Sequence, residues 1–139
     1  MRWVNEAADG QTPGATFRLN IFGMADARRR LDEAGVLDWG KAGPLDDLRY
    51  VAEQEQREID AFQQRFGPWC RGVVQEDFTR APALGKVIAA KLFFNDGFRI
   101  TSEECNVIAN TLASVPEDYL RDFARWCKAA IANGGVVVR

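Results

Sequence analysis

The sequence contains no histidine, and this absence excludes a large part of enzyme chemistry. Without an imidazole there is no Ser-His or Cys-His dyad and no His-ligated zinc, and no side chain has an unperturbed pKa close to neutrality. Any catalysis would depend on carboxylates, Lys, Tyr or an activated Cys. We therefore do not expect an enzyme, and the sequence nominates no catalytic residue.

Long apolar runs and phosphate-binding loops are also missing. No window reaches the roughly 18 consecutive apolar residues of a membrane span, and the first residues lack the apolar segment of a signal peptide. There is no Gly-rich loop of the GxxxxGK or GxGxxG type. We expect a cytoplasmic protein that has no membrane association and binds no cofactor.

Cysteine is scarce: the three thiols, Cys70, Cys105 and Cys127, are widely spaced. An odd number with such spacing indicates a reducing compartment rather than a disulfide framework. Cys105 and Cys127 share the apolar stripes of their predicted helices and are expected to face each other's helices in the core. Cys70 follows a Gly-Pro turn, where both an exposed thiol and a buried loop anchor are compatible with the sequence.

No charge of one sign dominates, because 18 basic residues stand against 20 acidic ones and the net charge is −2. This balance gives no general attraction to nucleic acid. The basic run Arg28-Arg29-Arg30 lies in a predicted helix, where successive side chains diverge by about 100°. A solvated surface with Asp26 paired to Arg30 is favoured, and a site for phosphate or an acidic partner at Arg28 and Arg29 is the alternative.

The residues that are present suffice to build one core. With 139 residues, 47% of them apolar, we expect a single globular domain over 1–139, of which residues 1–14 form a loosely ordered amino-terminal arm. The pattern predicts a mainly helical α+β fold with about five helices and a small two- or three-stranded sheet. The strands are expected near 15–22, 98–100 and 136–138, and the helices near 24–34, 44–66, 82–94, 102–114 and 116–132.

The longest predicted helix, 44–66, carries a heptad-like apolar stripe. Pro44 marks its first turn, and Gly67-Pro68 is expected to end it. Packing of the stripe inside the core is favoured. A two-stranded coiled coil, which would join two copies of the chain into a homodimer through this helix, is the alternative.

The segment NDGFRITSEE, residues 95–104, resembles the second half of a calcium-binding EF-hand loop. Aligning Ile100 and Glu104 with the eighth and twelfth loop positions leaves an aromatic residue at the first and glycine at the fifth, where oxygen ligands are required. We therefore expect no metal. The favoured interpretation is that Asn-Asp-Gly ends a helix, 98–100 form a strand, and Thr101 with Glu104 caps the next helix.

The end of the chain repeats this pattern, because Asn133-Gly134-Gly135 follows a predicted helix and precedes a run of valines. The strands 98–100 and 136–138 are therefore predicted to pair, with 15–22 as a third member. NDGFRITSEEC together with DFARWCKAA and NGGVVV resembles a set of small uncharacterised bacterial and prophage-type proteins, over about 45 residues. The resemblance concerns structural motifs and implies no activity.

Two tryptophans, Trp39 and Trp69, fall in predicted loops, where a large aromatic side chain either fills a core edge or anchors a binding surface. With Arg28 and Arg29 they are the candidate partner-binding residues. Immunity proteins, antitoxins and phage-encoded inhibitors are commonly small, acidic, histidine-free domains with aromatic residues in their loops. We therefore expect a non-enzymatic module that binds another protein.

Two other functions stay open. One is a small enzyme or nucleotide-binding domain that works through Arg and carboxylates. The other is a regulator that uses helices 82–94 and 102–114 as a helix-turn-helix, although the charge balance disfavours binding to nucleic acid.

Overall fold

A computed structural model of the protein describes residues 2–4, 16–40, 43–44, 56–72, 79–94 and 98–138. These residues form a mainly helical α+β fold, as predicted. The helices are α1 (Ile21–Glu33), α2 (Gln56–Gly72), α3 (Ser102–Leu112) and α4 (Asp118–Ala130). The strands are β1 (Arg2–Val4), β2 (Thr16–Arg18), β3 (Leu37–Asp38), β4 (Val87–Ile88), β5 (Arg99–Ile100) and β6 (Val136–Val138). No helix in these ranges has the length and apolar character needed to cross a membrane.

The main sheet is antiparallel and has the strand order β2-β1-β6-β5. The predicted pairing of the strands near 98–100 and 136–138 is confirmed, with Ile100 opposite Val136. The strand predicted at 15–22 is shorter, because Asn20 caps α1 by accepting a hydrogen bond from the Gly23 amide at 2.7 Å. Asn is a preferred N-cap residue, so α1 begins before the predicted residue 24.

An unpredicted strand, β1, lies at the centre of this sheet between β2 and β6. Its Trp3 is fully buried and meets Phe123 of α4 edge to face, with 4.8 Å between ring centroids. The interpretation of residues 1–14 as a loosely ordered arm is therefore wrong for Arg2–Val4, while residues 5–14 lie outside the described ranges. Three residues are too few for an alternating apolar pattern to reveal a strand.

The main core lies between this sheet and the packed pair α3 and α4, with α1 alongside. Cys105 and Cys127 are both fully buried, as predicted, and burial together with the hydrogen bond that the Cys127 thiol donates to Cys105 raises the pKa of Cys127. The buried residues that α3 and α4 contribute include Cys105, Ile108, Leu112, Leu120, Phe123 and Cys127.

The prediction of a helix at 82–94 is wrong. Gly85 adopts a left-handed φ of +74° in a turn, and the chain then enters β4, which pairs in parallel with β3 in a second, two-stranded sheet. A 3-10 helix, Ala89–Leu92, follows. Apolar periodicity predicted a helix here, but a β-branched pair after a left-handed glycine favours an extended backbone.

The long helix α2 also differs from its prediction, because it continues to Gly72 with Gly67 and Pro68 inside it. Proline ordinarily breaks a helix interior. Here Trp69, directly after this dipeptide, packs against Phe93 with 4.9 Å between ring centroids, and such tertiary packing outweighs local propensity. Residues 45–55 of the predicted helix lie outside the described ranges, so a homodimer through 44–66 stays a prediction.

Candidate functional site

A groove with a volume of about 790 Å³ opens beside β5. One wall is the loop 79–86, which precedes β4. The remaining lining residues come from the 3-10 helix, from β5 and its flanks, and from α3; they are Lys91, Phe98, Arg99, Thr101, Glu103 and Val107. The groove therefore combines apolar walls with several charged side chains.

An ion pair fixes the loop wall to the second sheet. The Arg80 guanidinium donates to both oxygens of Asp38 in β3, at 2.8 and 3.0 Å, and the Ala83 amide donates to the same carboxylate at 2.8 Å. These bonds, with Arg80 as the largest contributor, hold the pKa of the Asp38 carboxyl well below its usual range. The loop therefore has a defined position although its tip, Leu84, is fully exposed.

A buried ion pair lies at the groove. Lys91 Nζ donates to Glu104 Oε1 at 2.6 Å, and the two side chains are 3% and 0% exposed. Glu104 also accepts from the Ile88 amide at 3.0 Å and from the Thr101 amide at 3.2 Å, so the predicted capping box of α3 is confirmed. One carboxylate thus joins the 3-10 helix, β4 and the start of α3.

Lys91 retains hydrogen-bonding capacity. A lysine ammonium has three N–H donors, and Glu104 is its one acceptor in the described part of the chain. Lys86 and Arg99 are exposed lining residues that add positive charge, and Glu103 adds one negative charge. The groove lining therefore includes one buried cation, which is paired with Glu104, and exposed charges of both signs.

The predicted partner-binding residues Trp39, Trp69 and Arg28 converge on one ring, that of Phe93. Trp69 lies 4.9 Å and Trp39 6.0 Å from it between centroids, and the Arg28 guanidinium lies 4.3 Å above it. Arg28 also donates to the Leu92 carbonyl at 2.8 Å. The two tryptophans and Phe93 belong to an aromatic cluster that forms a second, smaller core (Trp39, Phe66, Trp69, Phe93, Phe94).

Within that cluster Trp69 is buried and Trp39 is half-buried. The indole N–H of Trp69 donates to the Gly43 carbonyl at 3.0 Å, which is the arrangement expected of an aromatic that fills a core edge. Cys70 next to it is half-buried in α2, and burial raises the pKa of its thiol, so it is neither fully exposed nor activated.

Arg29 lies apart from the aromatic cluster. It contacts Asp26 at 3.5 Å, Glu33 at 3.4 Å and Glu117 at 3.6 Å. The predicted pairing of Asp26 with Arg30 is wrong, because Arg30 reaches across to Glu117 at 2.8 Å instead. Long-range contacts of this kind have no signature in local spacing.

A second, smaller concavity of about 410 Å³ lies between β2, α1 and α4. Asp26 is buried at its edge and accepts a hydrogen bond from the Tyr119 hydroxyl, while Tyr119 and Phe22 are partly exposed aromatics. The Asp26 carboxylate is thus occupied by Tyr119 and Arg29.

No group of three or more Cys, Asp or Glu side chains in the described ranges is placed to hold a metal ion. Glu104, the residue that an EF-hand alignment would make the bidentate ligand, is occupied by two backbone amides and Lys91. Residues 95–97 of the segment NDGFRITSEE lie outside the described ranges.

Sequence reasoning missed the pairing of Lys91 with Glu104. The sequence feature that indicated this pair was a lone lysine in the apolar stretch VIAAKLFF, because a charged side chain on a buried face requires a partner. The identity of that partner, 13 residues further on, depended on the turn at Gly85 and on β4, neither of which was predicted.

The chain matches no protein-family model, no curated protein and no solved structure. The resemblance to small bacterial and prophage-type proteins therefore stays a prediction.

Proposed function

We propose that this chain binds another protein through the groove beside β5 and has no enzymatic activity, in the manner of immunity proteins, antitoxins and phage-encoded inhibitors. One observation carries the proposal: Leu84 stands fully exposed on a loop that the Asp38–Arg80 ion pair holds beside an open groove. An exposed leucine alone is ordinary, but a fixed apolar tip next to a groove is a binding arrangement.

The rigidity of this loop favours binding. Ordering a flexible loop on association costs free energy, and a loop that is already held in place avoids most of that cost. Apolar groups surrounded by charged ones, here Leu84 and Val107 with Lys86 and Arg99, match the usual anatomy of an interface with an apolar centre and a polar rim.

The titratable groups support binding over the enzyme alternative. The lowered pKa values of Asp38 and Glu117 have structural causes, since Arg80 and Arg30 donate to these carboxylates. A lowered pKa moves a carboxylate away from the range near neutrality that suits a general base.

The helix-turn-helix alternative required a first helix over 82–94. Residues 87–88 of that range form a strand, which does not support this alternative.

Partner binding by Trp39, Trp69, Arg28 and Arg29 stays a prediction. The different burial of the two tryptophans decides which of them can test it. Truncating Trp69 removes a buried side chain from the aromatic cluster, so a loss of binding there would not distinguish contact from folding. Trp39 is half-buried and is the better test of that cluster.

Affinity capture tests the proposed function. The protein is immobilised and exposed to an extract of its native host, in parallel with Leu84→Glu, Trp39→Ala and the control Lys128→Glu on the exposed side of α4. We expect one partner protein that is retained by the wild type and by Lys128→Glu and is lost by Leu84→Glu. Equal retention by Leu84→Glu, or no retained protein, would contradict the proposal.

A further inference from the structure

We infer that the protein forms a dimer in which β2 (Thr16–Arg18) pairs antiparallel with β2 of a second copy of the chain. The contact surface consists of the outer edge of this strand and the concavity beside it. This surface is separate from the groove beside β5, so the inference goes beyond the proposed function and does not depend on it.

The position of β2 in the main sheet is the first argument. β2 is the outermost strand on its side of the sheet: β1 pairs with its inner edge, and no strand within the described ranges pairs with its outer edge. Such an edge presents main-chain N–H and C=O groups to any strand that can pair with it. The residues that provide these groups follow from the register of the sheet.

The direction of the main-chain groups alternates along each strand of an antiparallel sheet, because hydrogen-bonded and non-hydrogen-bonded pairs alternate. The Val138 amide donates to the Phe98 carbonyl at 3.0 Å, so the main-chain groups of Val138 point towards β5 and those of Val137 towards β1. Val137 lies opposite Val4. These two residues therefore form a hydrogen-bonded pair between β6 and β1.

The same alternation continues through β1 into β2. Because Val4 bonds to β6, the main-chain groups of Trp3 point towards β2, where Trp3 lies opposite Phe17. The N–H and C=O groups of Thr16 and Arg18, on either side of Phe17, therefore point away from the sheet. Both residues are exposed.

This edge is complementary to itself. When two copies of β2 meet antiparallel about a twofold axis at Phe17, Thr16 of each copy lies opposite Arg18 of the other. Every outward donor of one copy then faces an outward acceptor of the other. An axis at Arg18 would instead place two arginines opposite each other, and like charges in that position destabilise a sheet. Twofold dimers are also the commonest assemblies of identical chains.

Phe17 contributes on the core side of the sheet. It is half-buried, and its ring centroid lies 5.4 Å from that of Phe123 and 6.0 Å from that of Trp126. At the twofold axis it is opposite Phe17 of the second copy in a non-hydrogen-bonded pair, the arrangement in which side chains are closest. Aromatic pairs across strands are stabilising, so the aromatic core of one copy continues into that of the other.

The concavity of about 410 Å³ at the end of β2 provides further contact area. This is needed, because a three-residue strand that contains an arginine is a weak edge by itself. Phe22 and Tyr119 line the concavity with Arg18 and are 40% and 38% exposed. Together with Leu84 they are the exposed large apolar side chains of the described ranges. A strand that pairs with β2 and continues past Arg18 covers both rings.

Sedimentation equilibrium of the purified full chain over a wide range of concentrations tests the dimer. Arg18→Pro removes the outward amide and keeps the hydrogen bonds of Phe17 to β1, since proline is tolerated where an edge N–H faces solvent. Arg18→Ala is the matched control, because it removes the charge and keeps the amide. We expect the wild type and Arg18→Ala to dimerise equally and Arg18→Pro at least tenfold more weakly, because a hydrogen bond is lost in each half of the interface.

Two measurements on the wild type decide the question if Arg18→Pro does not fold. In a mixture of isotope-labelled and unlabelled chains, we expect a nuclear Overhauser effect between the Thr16 amide of one copy and the Arg18 amide of the other, which are close together only in this register. Hydrogen exchange of the Arg18 amide should slow as the concentration rises, because its acceptor is in the second copy.

A monomer at every concentration, or absence of the Overhauser effect between copies, would overturn the inference. Equal dimerisation of folded Arg18→Pro and Arg18→Ala would also overturn it and would indicate another interface, such as the predicted helix 44–66. The proposed function fails or succeeds separately. Leu84→Glu should dimerise as the wild type does, and Arg18→Pro should retain a partner that is captured through Leu84.

Discussion

Lys91 Nζ and Glu104 Oε1 lie 2.6 Å apart inside the protein, and neither side chain is exposed by more than 3%. Because Glu104 also accepts the amides of Ile88 and Thr101, one carboxylate connects the second sheet, the 3-10 helix and the first turn of α3. A buried charge with several hydrogen bonds is costly to disturb, and this makes the pair a sensitive place to test the fold.

Replacing Glu104 is expected to destabilise the protein in proportion to the acceptors removed. Glu104→Ala leaves the Lys91 ammonium and the Ile88 amide without an acceptor, and we expect a loss of about 3 to 5 kcal/mol in the free energy of unfolding. Glu104→Gln keeps one side-chain oxygen and should lose less. Urea denaturation at neutral pH measures both.

Thr101→Ala is the matched control, because it removes the N-cap hydroxyl of α3 and leaves the ion pair intact. The expected loss is about 1 kcal/mol. Similar losses for Glu104→Ala and Thr101→Ala would show that Glu104 acts only as a helix cap.

The pairing of Asp38 with Arg80 predicts a pH-dependent contribution to stability. The pKa of Asp38 is lowered in the folded protein, so protons bind more readily to the unfolded chain. The contribution is therefore complete above the unfolded pKa of about 3.9 and is lost as the pH falls below it.

Asp38→Asn removes this contribution. We expect the difference in free energy of unfolding between wild type and Asp38→Asn to be constant above about pH 5 and to shrink towards pH 3, as measured by urea denaturation across this range. Asp122→Asn on the exposed surface of α4 is the control, and a pH dependence of the same size there would contradict the assignment to Asp38.

Helices with strong apolar stripes were predictable, and the connections between them were not. α3 has a capping box, and both α3 and α4 have periodic apolar positions within one sequence window, so their place in the chain follows from local signals. The turn at Gly85 leads into β4, which pairs with the distant β3, and Trp69 beside Pro68 packs against the distant Phe93. Local propensity yields to such tertiary contacts.

The groove lay beyond sequence reasoning for the same reason. Its walls come from the loop 79–86, from β5 and from α3, and the ion pair that fixes the loop joins residues 42 positions apart. The sequence singled out Arg28, Trp39 and Trp69 as large side chains that can bind a partner. Their common contact with Phe93 is visible only in the folded structure.

Trp3 is expected to be essential for stability because it lies in the central strand and is fully buried. Trp3→Ala should cost about 3 to 5 kcal/mol. Trp3→Phe should cost clearly less, since the indole nitrogen has no hydrogen-bond partner among the described residues and an aromatic ring still faces Phe123. Thermal unfolding of both variants tests this, and equal losses would indicate that the indole nitrogen makes a stabilising contact.

Two adjacent glycines offer a final test of how β6 meets β5. Gly134 and Gly135 both have left-handed φ angles, +84° and +101°, but they differ in surroundings. A Cβ at Gly134 meets nothing within 4 Å, whereas a Cβ at Gly135 would collide with the Ile100 carbonyl oxygen of β5. Gly134→Ala should therefore cost only the conformational strain, about 1 to 2 kcal/mol.

Gly135→Ala should cost more than Gly134→Ala, because the collision forces β6 away from β5 in addition to the strain. The sheet is the element at risk, so hydrogen exchange of the Val138 amide, which donates to the Phe98 carbonyl at 3.0 Å, should accelerate in Gly135→Ala and not in Gly134→Ala. Equal stability and equal exchange in the two variants would mean that β6 does not pass this close to Ile100. Since β5 lines the groove, a displaced β6 would also weaken partner binding by Gly135→Ala.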